Sequence, residues 1–523
     1  MQEGRISVMS SKTLIAGNRT LVLTATIFCH LTASLVAADI SVTASSDSNA
    51  GSNSITGRSG AASYDDGPNG DRPNANRPNI VFILADDLGY GDLGCFGQKH
   101  FQTPHLDQMA NEGMRLTSHY SGSTVCAPSR ACLLTGQHTG HVFQRFNGSV
   151  EFRPDPQDAC IARRLKDAGY STGMIGKSGL SCNSENGALP NEKGFEHFFG
   201  YTSHRDAHRY YPQFLWRNGE KVLYDGNQGK QGVTYSGDEF LADTLKFLEE
   251  NSQRPFFLHL SLQQPHADLN VTKRWRDKYL GKFEEQPYEG GHYRAEANPK
   301  ATYAGMVSYL DDSVGQVLQK IRTLGIADNT LVIFSSDNGP MSEGGWNKNI
   351  FNSSGPLRGG KRDLYEGGIR VPTIAWWPGK IAPGSQSDHP SAFWDFAATA
   401  CEVAGITAPE DTDGISYLPT LLGHSTQQQH DYLYWEFYER GGKQAARMGR
   451  WKGVRLKVSQ DRNGPLELYD LSEDLSETQD VAAQHPNIIE KMEAVLATAH
   501  VPSKHATFAK QRAMNKKQPK LKQ

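Results

Sequence analysis

The chain has 523 residues, more than one hydrophobic core usually organises, and its 54 Lys and Arg against 57 Asp and Glu leave a formal charge of −3. That balance supplies no field for a nucleic-acid backbone or an anionic bilayer, so no nucleic-acid partner is expected. With 37% hydrophobic residues, 52 Gly and 25 Pro, the composition describes a loop-rich globular protein and excludes a fibre, a coiled coil or a multi-span membrane protein.

Residues 1–38 read as a secretory signal peptide: Lys12 and Arg19 precede an apolar run over 21–38 that ends in Val36-Ala37-Ala38, a small-residue cleavage site. His30 and the threonines make that run too weakly apolar for stable membrane insertion, so an exported protein, periplasmic or secreted, is expected. Residues 39–77, dominated by Ser, Gly, Asn, Asp and Ala, predict a disordered linker. A catalytic domain is expected over 78–425. It opens with Asn79-Ile80-Val81-Phe82-Ile83-Leu84, a strand buried on both faces. Ser236-Gly-Asp-Glu239 reads as a capping box before a helix burying Leu241, Leu245 and Leu248, and 256–260 as the next strand. Leu310, Val314, Val317 and Ile321 form a second helical stripe that closes near Gly325, ahead of a strand at 331–334. This alternation predicts an α/β fold, a large, mostly parallel sheet sandwiched by helices. Over 426–500, four short strand-like runs and a final helix predict a smaller C-terminal antiparallel sheet plus helix. Residues 501–523 hold Lys504, Lys510, Arg512, Lys516, Lys517, Lys520 and Lys522 without an acid and read as a basic tail.

In open parallel sheets ligands bind beyond the carboxyl ends of the strands. The first strand runs into Ala85-Asp86-Asp87 and the one at 331–334 into Ser335-Ser336-Asp337-Asn338. Three carboxylates and an amide on adjacent strand ends repel one another unless a hard divalent cation, calcium or magnesium, sits among them; turn formation and helix capping are the alternative use of such residues. Cys126-Ala-Pro128-Ser129-Arg130 places a thiol just before a short helix opened by Pro128 and Ser129. A helix amino end beside an arginine binds anions and lowers a thiol pKa, which makes Cys126 a candidate nucleophile.

From about 79 to about 497 the chain resembles the type I, formylglycine-dependent sulfatases of the alkaline phosphatase superfamily. The resemblance is carried by Cys126-Ala-Pro128-Ser129-Arg130 followed by Ala-Cys-Leu-Leu-Thr-Gly, by Pro78-Asn-Ile-Val-Phe-Ile-Leu-Ala-Asp86-Asp87, by Ser336-Asp337-Asn338-Gly339-Pro340, and by Pro356-Leu-Arg-Gly-Gly-Lys361 through Glu366-Gly-Gly-Ile-Arg370, in the family's order. It implies an alkaline phosphatase-like fold and a sulfuric ester hydrolase of arylsulfatase type, acting on a sulfated carbohydrate or an aryl sulfate. It also implies that a maturation enzyme oxidises Cys126 to formylglycine, and that Asp86, Asp87, Asp337 and Asn338 bind one calcium ion. Arg130 would hold the nucleophile and metal region, Lys177 and Lys361 would grip the sulfate oxygens, and His266 would hydrogen-bond the sulfate or protonate the leaving group. One position departs from the pattern: Gly179, in Gly176-Lys177-Ser178-Gly179, stands where many members carry a histidine. His204 and His208 are candidates for its role and for substrate contact. Trp435 and Arg447, with Trp216, Tyr434 and Glu436, are candidate sugar contacts. Two other readings stay open, a phosphate or phosphonate ester hydrolase with the same nucleophile and a non-catalytic glycan-binding homologue.

Overall fold

A computed structural model describes residues 77–148, 152–153, 158–180, 189–227 and 232–506. The expected signal, nearly all of the linker and most of the basic tail lie outside the described residues. Among the described helices none is long and apolar enough to cross a membrane.

The strand Asn79–Ala85 shows why the fold is layered. Ile80, Phe82 and Leu84 enter one hydrophobic core and Val81, Ile83 and Ala85 the other, so both faces of the strand are covered. Each large side chain so buried contributes on the order of 1.5–3 kcal/mol. Parallel partners flank it, Phe256–Ser261 and Lys177's strand Ser171–Lys177 with His197–Tyr201 on one side, Thr330–Ser336 on the other. Further strands extend the sheet to ten at both edges, paired antiparallel except for Ser385–Ser387, which runs parallel to Met114–Leu116. Helices Cys126–Thr135, Ile161–Asp167 and Asp395–Val403 cover one face; Pro104–Glu112, Ser236–Asn251 and Pro299–Thr323 cover the other. The expected α/β architecture is therefore present. Leu310, Val314, Val317 and Ile321 are all fully buried, and Gly325 follows with φ +68°.

A separate four-stranded antiparallel sheet is formed by Leu433–Phe437, Lys443–Met448, Trp451–Leu456 and Leu466–Asp470. Met492 and Leu496 of the helix Pro486–Thr498 pack on its Tyr434, Ala446 and Leu468.

Two local expectations fail. Ser236 makes no capping hydrogen bond; its hydroxyl donates to Gln263 Oε1 at 2.7 Å. The helix then buries Phe240, Thr244, Phe247 and Leu248, leaving Leu241 and Leu245 half-buried, because two phenylalanines remove more apolar surface from water than two leucines.

Candidate active site

Strand register sets the geometry. Ala85 pairs with Ser336, so Asp86 and Asp337 leave the sheet side by side. Gly176 pairs with Ser261, and Lys177, the last residue of its strand, pairs with Tyr201. Asp86, Asp87, Lys177, His266, Asp337 and Asn338 therefore all lie at the carboxyl ends of parallel strands. Asp87 has a left-handed backbone, φ 65°, held where its N–H donates to Asp337 Oδ1 at 3.1 Å and the N–H of Leu88 donates to Ser336 Oγ at 2.9 Å.

Three fully buried carboxylates meet three cations. Arg130 donates through Nη2 and Nε to Asp337 Oδ2 at 2.7 and 2.9 Å, and its Nη2 is 3.5 Å from Asp86 Oδ2. Lys177 Nζ lies 2.6 Å from Asp86 Oδ2 and Lys361 Nζ 2.7 Å from Asp87 Oδ2. The fixed charges cancel, so the centre accepts a divalent cation and an anion together without leaving a large buried net charge. Burial opposes the charge on Asp86, yet Lys177, His266 and Arg130 hold its carboxyl well below the usual range. Burial and the neighbouring Asp86 push Asp337 up to about 7 in spite of Arg130. Burial likewise opposes the charge on Lys177, and Asp86 outweighs it.

Donor atoms of Asp86, Asp87, Cys126 and His266 lie within 4.8 Å of one another. Two further observations fit a hard cation. Asp86 Oδ1 and Asn338 Oδ1 are buried without a hydrogen-bond partner, while Asn338 Nδ2 donates to Asp87 Oδ1 at 2.7 Å and so turns the amide oxygen away from that carboxylate. The Cys126 sulfur is the one soft donor in an oxygen set, and an oxygen at that position would match the rest. The helix begins at Cys126 itself, with Pro128 and Ser129 in its first turn. The expected depression of the thiol pKa is not found: Cys126 is 1% exposed, and burial pushes the thiol up despite Lys177 and Lys361. As a thiol it is a poor nucleophile.

Residues 78–406 match the family model described as Sulfatase, and 359–501 match the one described as N-sulphoglucosamine sulphohydrolase, C-terminal. The chain belongs to the sulfatase family. It is 33% identical over 403 residues to N-acetylgalactosamine-6-sulfatase of Rattus norvegicus, covering 72% of this chain and 70% of that one. It is 32% identical over 458 residues to arylsulfatase A of Homo sapiens, covering 79% and 86%. The solved structure of Ps i-CgsB in complex with k-i-k-neocarrahexaose aligns with a TM-score of 0.69 at 25% identity, over 84% of this chain and 96% of the other. This sulfatase is accordingly a sulfuric ester hydrolase.

In the sulfatase, His266 Nδ1 donates to the Ala267 carbonyl, and Nε2 faces Lys361 Nζ at 3.2 Å and Asp87 Oδ2 at 3.4 Å. Burial and Lys361 lower its pKa to about 3. His208 stacks on His266, ring centroids 4.2 Å apart at 18°, and His204 meets His208 at 5.9 Å. The structure thus brings both histidines to the centre. It does not bring Trp435 or Arg447 there as open contacts. Trp435 is fully buried, its Nε1 donating to the Ser121 carbonyl at 3.0 Å, and Arg447 donates to Tyr120 Oη at 2.6 Å and the Gly449 carbonyl at 2.8 Å. Tyr434 and Glu436 are also fully buried, with Glu436 paired to Arg145 at 2.8 Å. Trp435 and Arg447 tie the smaller sheet to Tyr120 and Ser121, and a sugar has no face of Trp435 to stack on.

Sequence reasoning missed Ser261, whose hydroxyl donates to the Lys177 carbonyl at 2.7 Å beside Arg130, and Glu343, which accepts from Tyr293 Oη at 2.8 Å and is held low by Lys361 and Arg362 against burial. A single serine in a strand or glutamate in a loop carries no periodic signal. A second cluster, His138, His141 and Asp413, fits a metal poorly. The Gly140 N–H donates to His138 Nδ1 at 3.1 Å, so the ring proton sits on Nε2, the atom a metal would need.

Proposed function

We propose that this sulfatase is an exported, calcium-dependent enzyme that hydrolyses sulfate esters of a carbohydrate, at a formylglycine made from Cys126 by a maturation enzyme. The observation that carries the reading is the buried oxygen set of Asp86, Asp87, Asp337 and Asn338, with two unpartnered oxygens, closed on one side by Cys126 and ringed by Arg130, Lys177 and Lys361. The four oxygen residues hold the cation. Formylglycine supplies an oxygen nucleophile for sulfur, and calcium supplies the charge that acidifies it.

The chain's own residues do the rest. Lys177 commits one N–H to Asp86, Lys361 commits one to Asp87 and one to His266 Nε2, and each keeps an N–H for the sulfate oxygens, where negative charge spreads in the transition state. Arg130, fixed by two bonds to Asp337, keeps the nucleophile's surroundings positive. His266 presents Nε2 to the same space, where it accepts from Lys361 and would pass that proton on to the ester oxygen. The carbohydrate part of the reading follows the names of the galactosamine-6-sulfatase and carrahexaose-bound relatives. Residues 1–38 supply the export signal.

Peptide mass spectrometry across 120–130, on protein from a host that matures sulfatases, tests the nucleophile. Loss of the thiol sulfur with gain of a hydrazide-reactive carbonyl at Cys126 is expected, and an unmodified thiol in active protein would refute it. Comparing matched aryl sulfate and aryl phosphate, then sulfated oligosaccharides, tests the substrate class; faster phosphate hydrolysis would overturn it.

A further inference from the structure

Hydrolysis of a sulfate ester at neutral pH consumes one water and yields an alcohol, a sulfate dianion and one proton. In this site that proton arises among groups already committed. Arg130, Lys177 and Lys361 are protonated and paired with Asp337, Asp86 and Asp87 at 2.7, 2.6 and 2.7 Å. His266 is engaged at both nitrogens, by the Ala267 carbonyl and by Lys361. Two imidazoles beside them are not. His204, 8% exposed, has both ring nitrogens buried without a hydrogen-bond partner, and His208 has its Nε2 in the same condition. A buried, unpartnered nitrogen costs stability and calls for a function. His208 as a whole remains partly exposed, so it spans the distance from His266 to solvent.

We propose that His208 is the proton carrier of this site, with His204 as the positioning residue behind it. The hydroxyl that attacks sulfur would give up its proton, its O–H electron pair staying on oxygen as the new S–O bond forms, while the ester S–O bond would break with its pair leaving on the alcohol oxygen, which would take a proton from the Lys361–His266 pair that is returned to it when sulfate is released. The hydroxyl's proton forms an N–H bond at His208 Nε2, the ring becomes cationic, and the proton then leaves to water at the mouth. Burial, His266 and Lys177 keep the His208 ring well below the ordinary imidazole pKa, and burial with Lys177 does the same for His204. Both are therefore neutral and able to accept, and the imidazolium, facing two lysines, gives its proton up readily. Gly179 offers no competing base.

The inference rests on the Cys126 centre proposed above, and the experiment separates the two. In matured enzyme, His208→Gln is expected to lower kcat on an aryl sulfate about 100-fold with KM changed less than about threefold. Added imidazole restores part of the loss in His208→Ala, a rescue that a merely structural role would not give. In the unsubstituted protein, diethylpyrocarbonate is expected to modify His208, read by peptide mass, and inorganic sulfate to protect it. A His208→Gln kcat within about twofold of the parent, a loss confined to KM, or modification indifferent to sulfate would overturn the proposal. Full activity in Cys126→Ala would instead overturn the centre itself.

Discussion

Gly179 lies against the side chain of Arg130: a β-carbon at position 179 would stand 2.5 Å from Arg130 Cδ, on a backbone with φ +72°. The turn after Lys177 is thus wrapped directly on the arginine that pairs with Asp337. Gly179→Ala is expected to cost about 1–3 kcal/mol in urea unfolding and to lower kcat by displacing that guanidinium. Gly179→His, which installs the more familiar family residue, is expected to lower activity as well. Activity above the parent in either variant would contradict the steric account.

Ser336 holds at once the two turns that carry Asp87 and Asn338. Its hydroxyl accepts from the Leu88 N–H at 2.9 Å and donates to the Asn338 carbonyl at 3.0 Å. Chelation is expected to abolish turnover and calcium to restore it, and Ser336→Ala to weaken calcium affinity roughly 10–100-fold. Titration calorimetry on the apoprotein reads this directly.

Trp435 separates packing from recognition. Trp435→Phe removes the hydrogen bond to the Ser121 carbonyl and leaves that acceptor unpaired, at a cost of about 1–3 kcal/mol in stability, with KM unchanged within about twofold. A large rise in KM with intact stability would return Trp435 to the list of sugar contacts.

His259 makes stability depend on pH. It is fully buried with neither ring nitrogen bonded, and burial, with Arg130 adding, lowers its pKa from 6.5 to about 3. The unfolded chain takes up a proton near pH 6.5 that the folded chain refuses until about 3. Stability is therefore highest above 6.5 and falls as pH drops through that window, by up to about 1.4 kcal/mol per pH unit for this one group. His259→Leu is expected to flatten the slope between pH 7 and 5 in urea titrations.

Much of the fold was legible because a parallel strand covered on both faces, such as Asn79–Ala85, must be continuously apolar and then stop abruptly, and here it stops at acids. The meeting of Asp86 with Asp337 followed from strand ends alone. What escaped notice depends on contacts that no local pattern encodes. Ser236 spends its hydroxyl on Gln263 in another segment, Ser261 and Glu343 act through partners far away in sequence, and Trp435 reads as an aromatic on a short strand whether it faces a sugar or a core. The direction of the Cys126 thiol shift was misjudged for a related reason. A helix amino end lowers a thiol pKa only where water or a cation also stabilises the thiolate, and at this site burial is the larger effect.

The helix Cys126–Thr135 is buried along its whole length. Any enzyme that rewrites Cys126 is therefore working against a clock, since once the helix docks on the sheet the thiol is out of reach and un-ionised. Folding ends the period in which the side chain can be altered, and a chain that folds early keeps its sulfur. If the proposed formylglycine is what makes the protein competent, its yield depends on a race between two rates, and conditions that slow folding without harming the modifying enzyme should raise it.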